Sequence, residues 1–135
     1  MVSRGIRNNN PLNIRIIKGT VWAGQVPQEQ QTDDAFVQFT DPVYGIRAGA
    51  RILTNYYKRG LHTVTQIIDQ WSPPNENNSQ AYIDDVCQDC SVGQDDPLSW
   101  PSALLPLIKA MINHEEGSQP YTEDQIKKGI ALATT

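Results

Sequence analysis

Long hydrophobic runs are missing from this sequence, and their absence argues against one class of protein at once. No apolar stretch approaches the roughly 20 residues that a helix needs to cross a bilayer. The first residues, MVSRGIRNNNP, also lack the apolar segment of a signal peptide. We therefore expect no membrane partner, and a protein of this kind acting outside the cytoplasm would need another route to its target.

Positive charge is also scarce. The 135 residues include 11 Lys and Arg against 15 Asp and Glu, which gives a net charge of -4. The early arginines Arg4, Arg7 and Arg15 are scattered and form no basic stripe that could neutralise phosphates. Nucleic acid is therefore not a predicted partner.

Cysteine and histidine are too few for a zinc site. The two cysteines, Cys87 and Cys90, form one CxxC pair, and the two histidines, His62 and His114, are isolated. Structural zinc needs four ligands, so no metal and no other cofactor is predicted. The pair could form a redox dithiol or a strained disulfide, but two ordinary thiols are the default.

What the sequence does contain is typical of one domain that is mostly helical. Its length and its 39% hydrophobic residues are enough for a real core. Residues 12–17 and 35–39 are rich enough in branched and aromatic residues for two short strands, joined by a long polar connection. We therefore predict an α+β protein, mostly α, with a small β hairpin lobe within a single domain spanning residues 1–135.

Start and stop signals divide the rest of the chain into helices. Asp41-Pro42 opens a helix that ends at Gly60, Thr63 caps a short one, and Ser79 is the predicted cap of the next. Thr122 with Gln125 forms a capping box for the last helix.

The stretch from Pro101 to Tyr121 organises the remainder. Read as a helix that starts nearer Ser102, it puts an apolar stripe on one face, and the next residue on that stripe is Glu115. Gly117 then ends the helix. Burial raises the pKa of a carboxyl group, which keeps a proton on it near neutral pH, as a general acid requires. The alternative is that Glu115 is the last solvated residue of a fraying helix.

Several segments resemble the soluble lytic transglycosylases. DPVYGIRAGARIL, from Asp41, is similar to a helix of that family with the pattern D-P, two residues, N-I, two residues, G, three residues, L. SQAYIDDV, from Ser79, resembles the family's T, two residues, Y-V, two residues, V. The helix ending in His114-Glu115-Glu116-Gly117 resembles the family's helix ending in Glu-Ser-Gly, whose Glu is the catalytic acid.

The order of these segments differs from that family. NNPLNI, from Asn9, is similar to the NNLFGI segment of flagellar-type glucosaminidases, which follows their catalytic Glu, yet here it comes first. Circular permutation explains this order, and it is tolerated where chain ends lie close together. RGIRNNNPLNIR also resembles small phage and prophage proteins that are described as virion structural proteins or lysozyme-like endolysins. The resemblance implies a circularly permuted lysozyme-like fold, related to soluble lytic transglycosylases and goose-type lysozymes.

The same resemblance implies cleavage of peptidoglycan glycan strands, as a muramidase or lytic transglycosylase, with Glu115 as the acid. Glu116 would take that role if the helix were rotated or frayed. A lysozyme needs a second carboxylate and a lytic transglycosylase does not. The candidates are Asp33 with its neighbour Asp34, and Glu76, each of which could instead be solvated or structural.

Substrate binding is assigned to five residues. Tyr82 matches the family's active-site tyrosine, although it could equally be a core aromatic residue. Asn10 and Asn13 could bind sugar amides or shape a turn. Trp71, like Trp22 and Trp100, could stack on a sugar ring or pack in the core. Tyr121, at the end of the central stretch, completes the set.

Two functions remain open. The first is a phage endolysin or virion-associated lysin, located in the virion or the host cytoplasm and acting on the cell wall. The second is a non-catalytic virion structural or peptidoglycan-binding protein of the same fold, with other virion proteins as partners. A CxxC redox protein is a weaker third hypothesis, because the βαβ setting of such motifs is missing.

Overall fold

The computed structural model describes residues 2–73 and 78–134. Within these ranges the chain forms six α-helices and one 3-10 turn at Gln28–Gln30. The helices are α1 (Arg4–Arg7), α2 (Pro42–Lys58), α3 (Val64–Trp71), α4 (Ser79–Cys90), α5 (Leu104–Glu116) and α6 (Glu123–Ala133). The predicted mostly helical class is confirmed, and α1 lies in a segment for which no helix was predicted.

The helix starts follow from local capping chemistry. The Asp41 carboxylate accepts a hydrogen bond from the Val43 amide at 2.9 Å, and Pro42 occupies the first helical position. Thr63 and Thr122 each form a complete capping box with the glutamine three residues later. These predicted caps are confirmed.

Two predicted boundaries were wrong. The cap of α4 is Asn78, whose side chain accepts from the Ala81 amide at 3.2 Å, while Ser79 is the first helical residue and is buried. The central helix starts at Leu104 rather than near Ser102, after a segment of turns. Pro106 stands in its first turn, where a missing N–H leaves no intrahelical bond unmade.

Helix α5 is the centre of the core. It packs against α1, α2, α4 and α6. The predicted stripe of Leu104, Ile108 and Met111 is fully buried, and Leu107 and Ala110 are buried beside it. A helix with this much buried surface is held by packing on several sides, so its last turn is a rigid place for functional side chains.

The predicted β hairpin lobe is reduced to single bridges. Segments 12–17 and 35–39 do meet in antiparallel fashion, through the Arg15–Phe36 bridge and the bond from the Ile16 amide to the Ala35 carbonyl at 2.9 Å. A second isolated bridge joins Gln25 to Phe39. Extended strands do not form in the described residues; Asn13 is left-handed, with φ of 53°, so the paired part of the first segment begins after it, at Ile14.

None of the helices in the described ranges combines the length and the apolar composition that a membrane crossing requires.

Candidate functional site

Glu115 lies in the last turn of α5 and is half-buried. Its Oε1 accepts a hydrogen bond from Asn13 Nδ2 at 2.9 Å, and its Oε2 accepts one from the Tyr82 hydroxyl at 2.8 Å. Gly117 follows in the left-handed region, with φ of 71°, and ends the helix as predicted. The side chain is therefore fixed by two residues that are remote in sequence, rather than fraying into solvent.

A tight turn at the start of the chain presents Asn13 to the end of α5. Asn10 builds this turn: its Nδ2 donates to the carbonyls of Ile14 and Val37, and its Oδ1 accepts from the Ile14 amide, each at 2.9 Å. Asn10 is completely buried. Of the two roles open to Asn10, this arrangement is the turn-shaping one, whereas Asn13 is only half-buried and directs its amide at Glu115.

Tyr82 approaches Glu115 from α4 and is itself held by its neighbours. The ring is 3% exposed and stacks on the His114 ring at a centroid distance of 3.8 Å. His114 Nδ1 lies 2.7 Å from Asp85 Oδ2. Burial, followed by the charge of Glu115 and the hydrogen bond to it, raises the pKa of the Tyr82 hydroxyl well above its ordinary value. The hydroxyl therefore stays protonated and available to Glu115.

Glu116 points in a different direction and holds the start of the chain. Its Oε1 accepts a hydrogen bond from the Ser3 hydroxyl, and a backbone hydrogen bond links its carboxylate to Ile6. Burial, opposed by the Ser3 bond and assisted by the charge of Glu115, raises the pKa of Glu116. The last turn of α5 is intact, and Glu115 and Glu116 bind different partners on two sides of the helix end.

Gly5 allows α1 to lie against Glu116 and Asn13. A Cβ at Gly5 would overlap Glu116 Oε2 and lie 2.7 Å from Asn13 Oδ1. Any side chain here would push on the amide that positions Glu115. The first residues of the chain are therefore part of the site's construction.

Asp33, the first candidate for a second carboxylate, is bound to Arg4. The Arg4 guanidinium donates to both carboxylate oxygens at 2.6 and 2.7 Å, and the Asp33 side chain is 7% exposed. Hydrogen bonds from Asn8 and from the amides of residues 35 and 36 complete its shell. The Arg4 bond is the main cause that holds the pKa of Asp33 far below its ordinary value. Asp34 is fully exposed beside Arg4. Glu76 falls outside the described residues.

A hollow of about 220 Å³ begins beside Asn13 and contains Trp71 and Tyr56. The two rings meet edge to face at 6.4 Å. Trp71 and Asn13 therefore line the same hollow, and a ligand in it could contact both. Trp22 and Trp100 have buried indole nitrogens without a partner in the described part of the chain, and Trp100 stacks on Tyr57 at 4.6 Å.

Tyr121 lies on the Glu116 side of the helix end. The residue is half-buried, and burial followed by the charge of Glu116 raises the pKa of its hydroxyl to about 12. The structure thus brings together Glu115, Asn13 and Tyr82, places Trp71 in the adjoining hollow, and separates Asp33 and Asn10 into structural roles.

Both cysteines are free thiols, and burial is the main cause that raises the pKa of Cys90 to about 11. Such thiols are poor nucleophiles near neutral pH. Across residues 2–73 and 78–134, His, Cys, Asp and Glu form no group of three or more suited to a metal ion.

No sequence pattern predicts the contacts that hold the residues on either side of Glu115. The Asp85–His114 pair and the Ser3–Glu116 bond join residues 29 and 113 positions apart. The only available hint was the recurrence of polar residues beside Tyr82 and Glu115, which is equally typical of a solvated helix face.

Comparison with known proteins relates the chain to a phage protein. No family model matches the chain. The chain is 44% identical over 131 residues to "Protein P5" of Pseudoalteromonas phage PM2, and the match covers 95% of this chain and 80% of the phage protein.

Proposed function

The chain belongs to the family of protein P5 of Pseudoalteromonas phage PM2, and we propose that it cleaves the glycan strands of peptidoglycan. One observation carries the proposal: Asn13 and Tyr82 position the Glu115 carboxylate, and the same Asn13 lines a hollow whose wall includes the rings of Tyr56 and Trp71. Enzymes that cleave glycosidic bonds need a fixed carboxyl group to protonate the leaving oxygen. Aromatic rings beside it suit the apolar faces of sugars.

In this proposal Glu115 gives its proton to the oxygen that links two amino sugars. Asn13 keeps Oε1 in place while Oε2 faces Tyr82. A protonated carboxyl oxygen keeps a lone pair that can accept, so the Tyr82 hydroxyl can donate to Oε2 in both states while the acidic proton on Oε2 points to the leaving oxygen. The pair can therefore hold Glu115 in one position through both states.

We also propose a circularly permuted lysozyme-like fold. The contacts of Ser3 and Asn13 with the end of α5 support it, because they put the first residues where a continuous chain would leave the catalytic helix. The phage relative supports a place in a virion or in an infected cell.

A second function is supported by Asp33. Because Arg4 occupies that carboxylate, a candidate second acid is withdrawn from chemistry. A non-catalytic virion or peptidoglycan-binding protein would need no such acid, and neither would a lytic transglycosylase.

The test is digestion of purified peptidoglycan followed by mass spectrometry of the soluble fragments. We expect glycan fragments from the natural protein and none above background from Glu115→Gln. Anhydro ends would identify a transglycosylase and reducing ends a hydrolase. Glu29→Gln, in the exposed 3-10 turn, is the matched control and should cleave normally.

Binding to peptidoglycan without any fragments would support the second function. Loss of cleavage in Glu116→Gln with full activity in Glu115→Gln would show that Glu116 is the acid and would overturn the proposed mechanism.

A further inference from the structure

Three adjoining hollows form one trough along the protein surface. The first, of about 480 Å³, shares Ile52 and Tyr56 with the hollow beside Asn13. That middle hollow shares Arg15 and Ile17 with a third, of about 1120 Å³, under the loops around residues 16–28 and 31–35. We call these three hollows together the trough. Asn13 lines the middle hollow and donates a hydrogen bond to Glu115, so it links the trough to that carboxylate.

Four cationic side chains line the trough. Lys58 and Arg59 lie at one end, Arg15 in the middle and Lys18 toward the other end. All four residues are exposed, and none forms an ion pair with another described residue. These charges are therefore available to a ligand.

Acidic side chains of the trough do not cancel this charge. Asp33 and Asp34 line its far end at 2.6 and 3.6 Å from Arg4, whose single charge offsets one of the two carboxylates. The one carboxylate that is left is outnumbered by the four cations. The trough is therefore positive although the whole chain carries a charge of -4. A positive groove on a negative protein selects ligands that carry their own negative charge.

Apolar surface accompanies the charges. Tyr56 and Trp71 form the middle of the trough, with the Arg59 guanidinium 5.2 Å from the centre of the Tyr56 ring. Ile17 and Val21 are 53% and 85% exposed in the trough wall. The ligand that fits is a polymer with flat or apolar faces and repeated carboxylates.

We propose that the trough binds the glycan strand together with its stem peptides, whose free carboxylates contact Arg15, Lys18, Lys58 and Arg59. This inference rests on the proposed function and adds the substrate specificity of the site: a glycan strand that carries stem peptides is preferred over a neutral amino-sugar polymer. Nucleic acid fits less well, because four cations are few for a phosphate backbone and the Glu115 carboxylate adjoins the same trough.

The test is a binding measurement with the uncleaving Glu115→Gln protein and insoluble sacculi. One batch of sacculi is left natural, and in the other the carboxylates are converted to methylamides with a carbodiimide and methylamine. Each exposed ion pair contributes little, but four of them together should make the amidated sacculi bind about tenfold more weakly than the natural ones. Binding to natural sacculi should also weaken as the salt concentration rises.

Two double variants in the same background locate the effect. Lys18→Gln/Lys58→Gln should lose about fivefold in affinity for natural sacculi and little for amidated sacculi. Lys127→Gln/Lys128→Gln removes the same charge from α6, none of whose described residues lines the trough, and should bind like the parent.

Equal affinity for natural and amidated sacculi would overturn the inference, as would equal losses in the two double variants. Tighter binding to single-stranded DNA than to natural sacculi would also overturn it. These are binding measurements, so they do not depend on cleavage. A natural protein that cleaves nothing would refute the proposed function, and the binding data would still test the trough.

Discussion

At the scale of single residues, the account depends on how two remote side chains hold one carboxylate. Tyr82→Phe removes the hydroxyl that bonds to Glu115 Oε2 but keeps the ring that stacks on His114. We expect glycan cleavage to slow at least about tenfold with little change in KM, because the hydroxyl positions the acid rather than the substrate. Stability should fall by about 1 kcal/mol, the contribution of a typical hydrogen bond.

Tyr121→Phe is the matched control for stability. The Tyr121 hydroxyl is buried and has no hydrogen-bond partner in the described part of the chain. Its removal should leave the free energy of unfolding unchanged or higher. Equal destabilisation by both substitutions, measured by chemical denaturation, would contradict the distinction drawn between the two tyrosines.

Asp33 provides a residue-scale prediction about pH. Its pKa is lowered in the folded protein, chiefly by Arg4, so its stabilising effect is present above the ordinary value of 3.8 and is lost as the pH falls below it. Asp33→Asn should cost about 1 kcal/mol at neutral pH, a value kept small because Arg4 is 45% exposed and screened by water.

The check is denaturant unfolding at pH 7 and at pH 3. The gap in stability between the natural protein and Asp33→Asn should narrow at the lower pH. A gap that stays constant would show that the Arg4–Asp33 pair does not stabilise the fold.

At the scale of elements, the short helix α1 is expected to control the site because Gly5 lies against Glu116 and Asn13. Alanine normally favours a helix by up to about 1 kcal/mol over glycine. Here the new methyl group overlaps the ends of the Glu116 and Asn13 side chains, so Gly5→Ala should instead destabilise the protein by about 1 kcal/mol as those side chains shift. Cleavage should slow as well, because displaced Asn13 no longer holds Glu115.

Ser3→Ala separates steric from hydrogen-bonding effects. It removes the donor to Glu116 but adds no atoms near Asn13. The Ser3→Ala protein should cleave at a rate close to that of the natural protein, whereas the Gly5→Ala protein should cleave more slowly. Thermal unfolding and fragment release, measured on both variants, provide the comparison, and a Gly5→Ala protein with full activity would contradict this role for α1.

Elements with local causes were the ones the sequence could predict. Asp41, Thr63 and Thr122 begin their helices through bonds to amides only two or three residues away. The apolar stripe of α5 likewise follows from helical periodicity alone. The small β lobe was overestimated, because the two segments pair only around Arg15 and Phe36.

The supports of the site could not be predicted in the same way. Asn10 and Asn13 belong to one short segment, yet one is buried in the turn and the other reaches Glu115. Asp33 was a reasonable candidate acid until Arg4, 29 residues away, was seen to bind it. Such long-range polar contacts depend on how elements pack, which local patterns do not encode.

At the scale of the whole molecule, residues from the start of the chain complete a site on α5, a helix from the last third of the sequence. Ser3, Gly5 and Asn13 all lie against the last turn of α5. The trough then extends the site across the surfaces of α2 and the loops that precede it. The family link to a phage protein fits a small domain that carries its own recognition surface.

The most direct test of the central claim is the initial rate at which soluble glycan fragments leave purified peptidoglycan. General acid catalysis contributes about 100-fold to 10,000-fold, so Glu115→Gln should be at least about 100-fold slower than the natural protein while binding sacculi equally well. A Glu115→Gln protein that releases fragments at the natural rate would contradict the assignment of Glu115 as the proton donor.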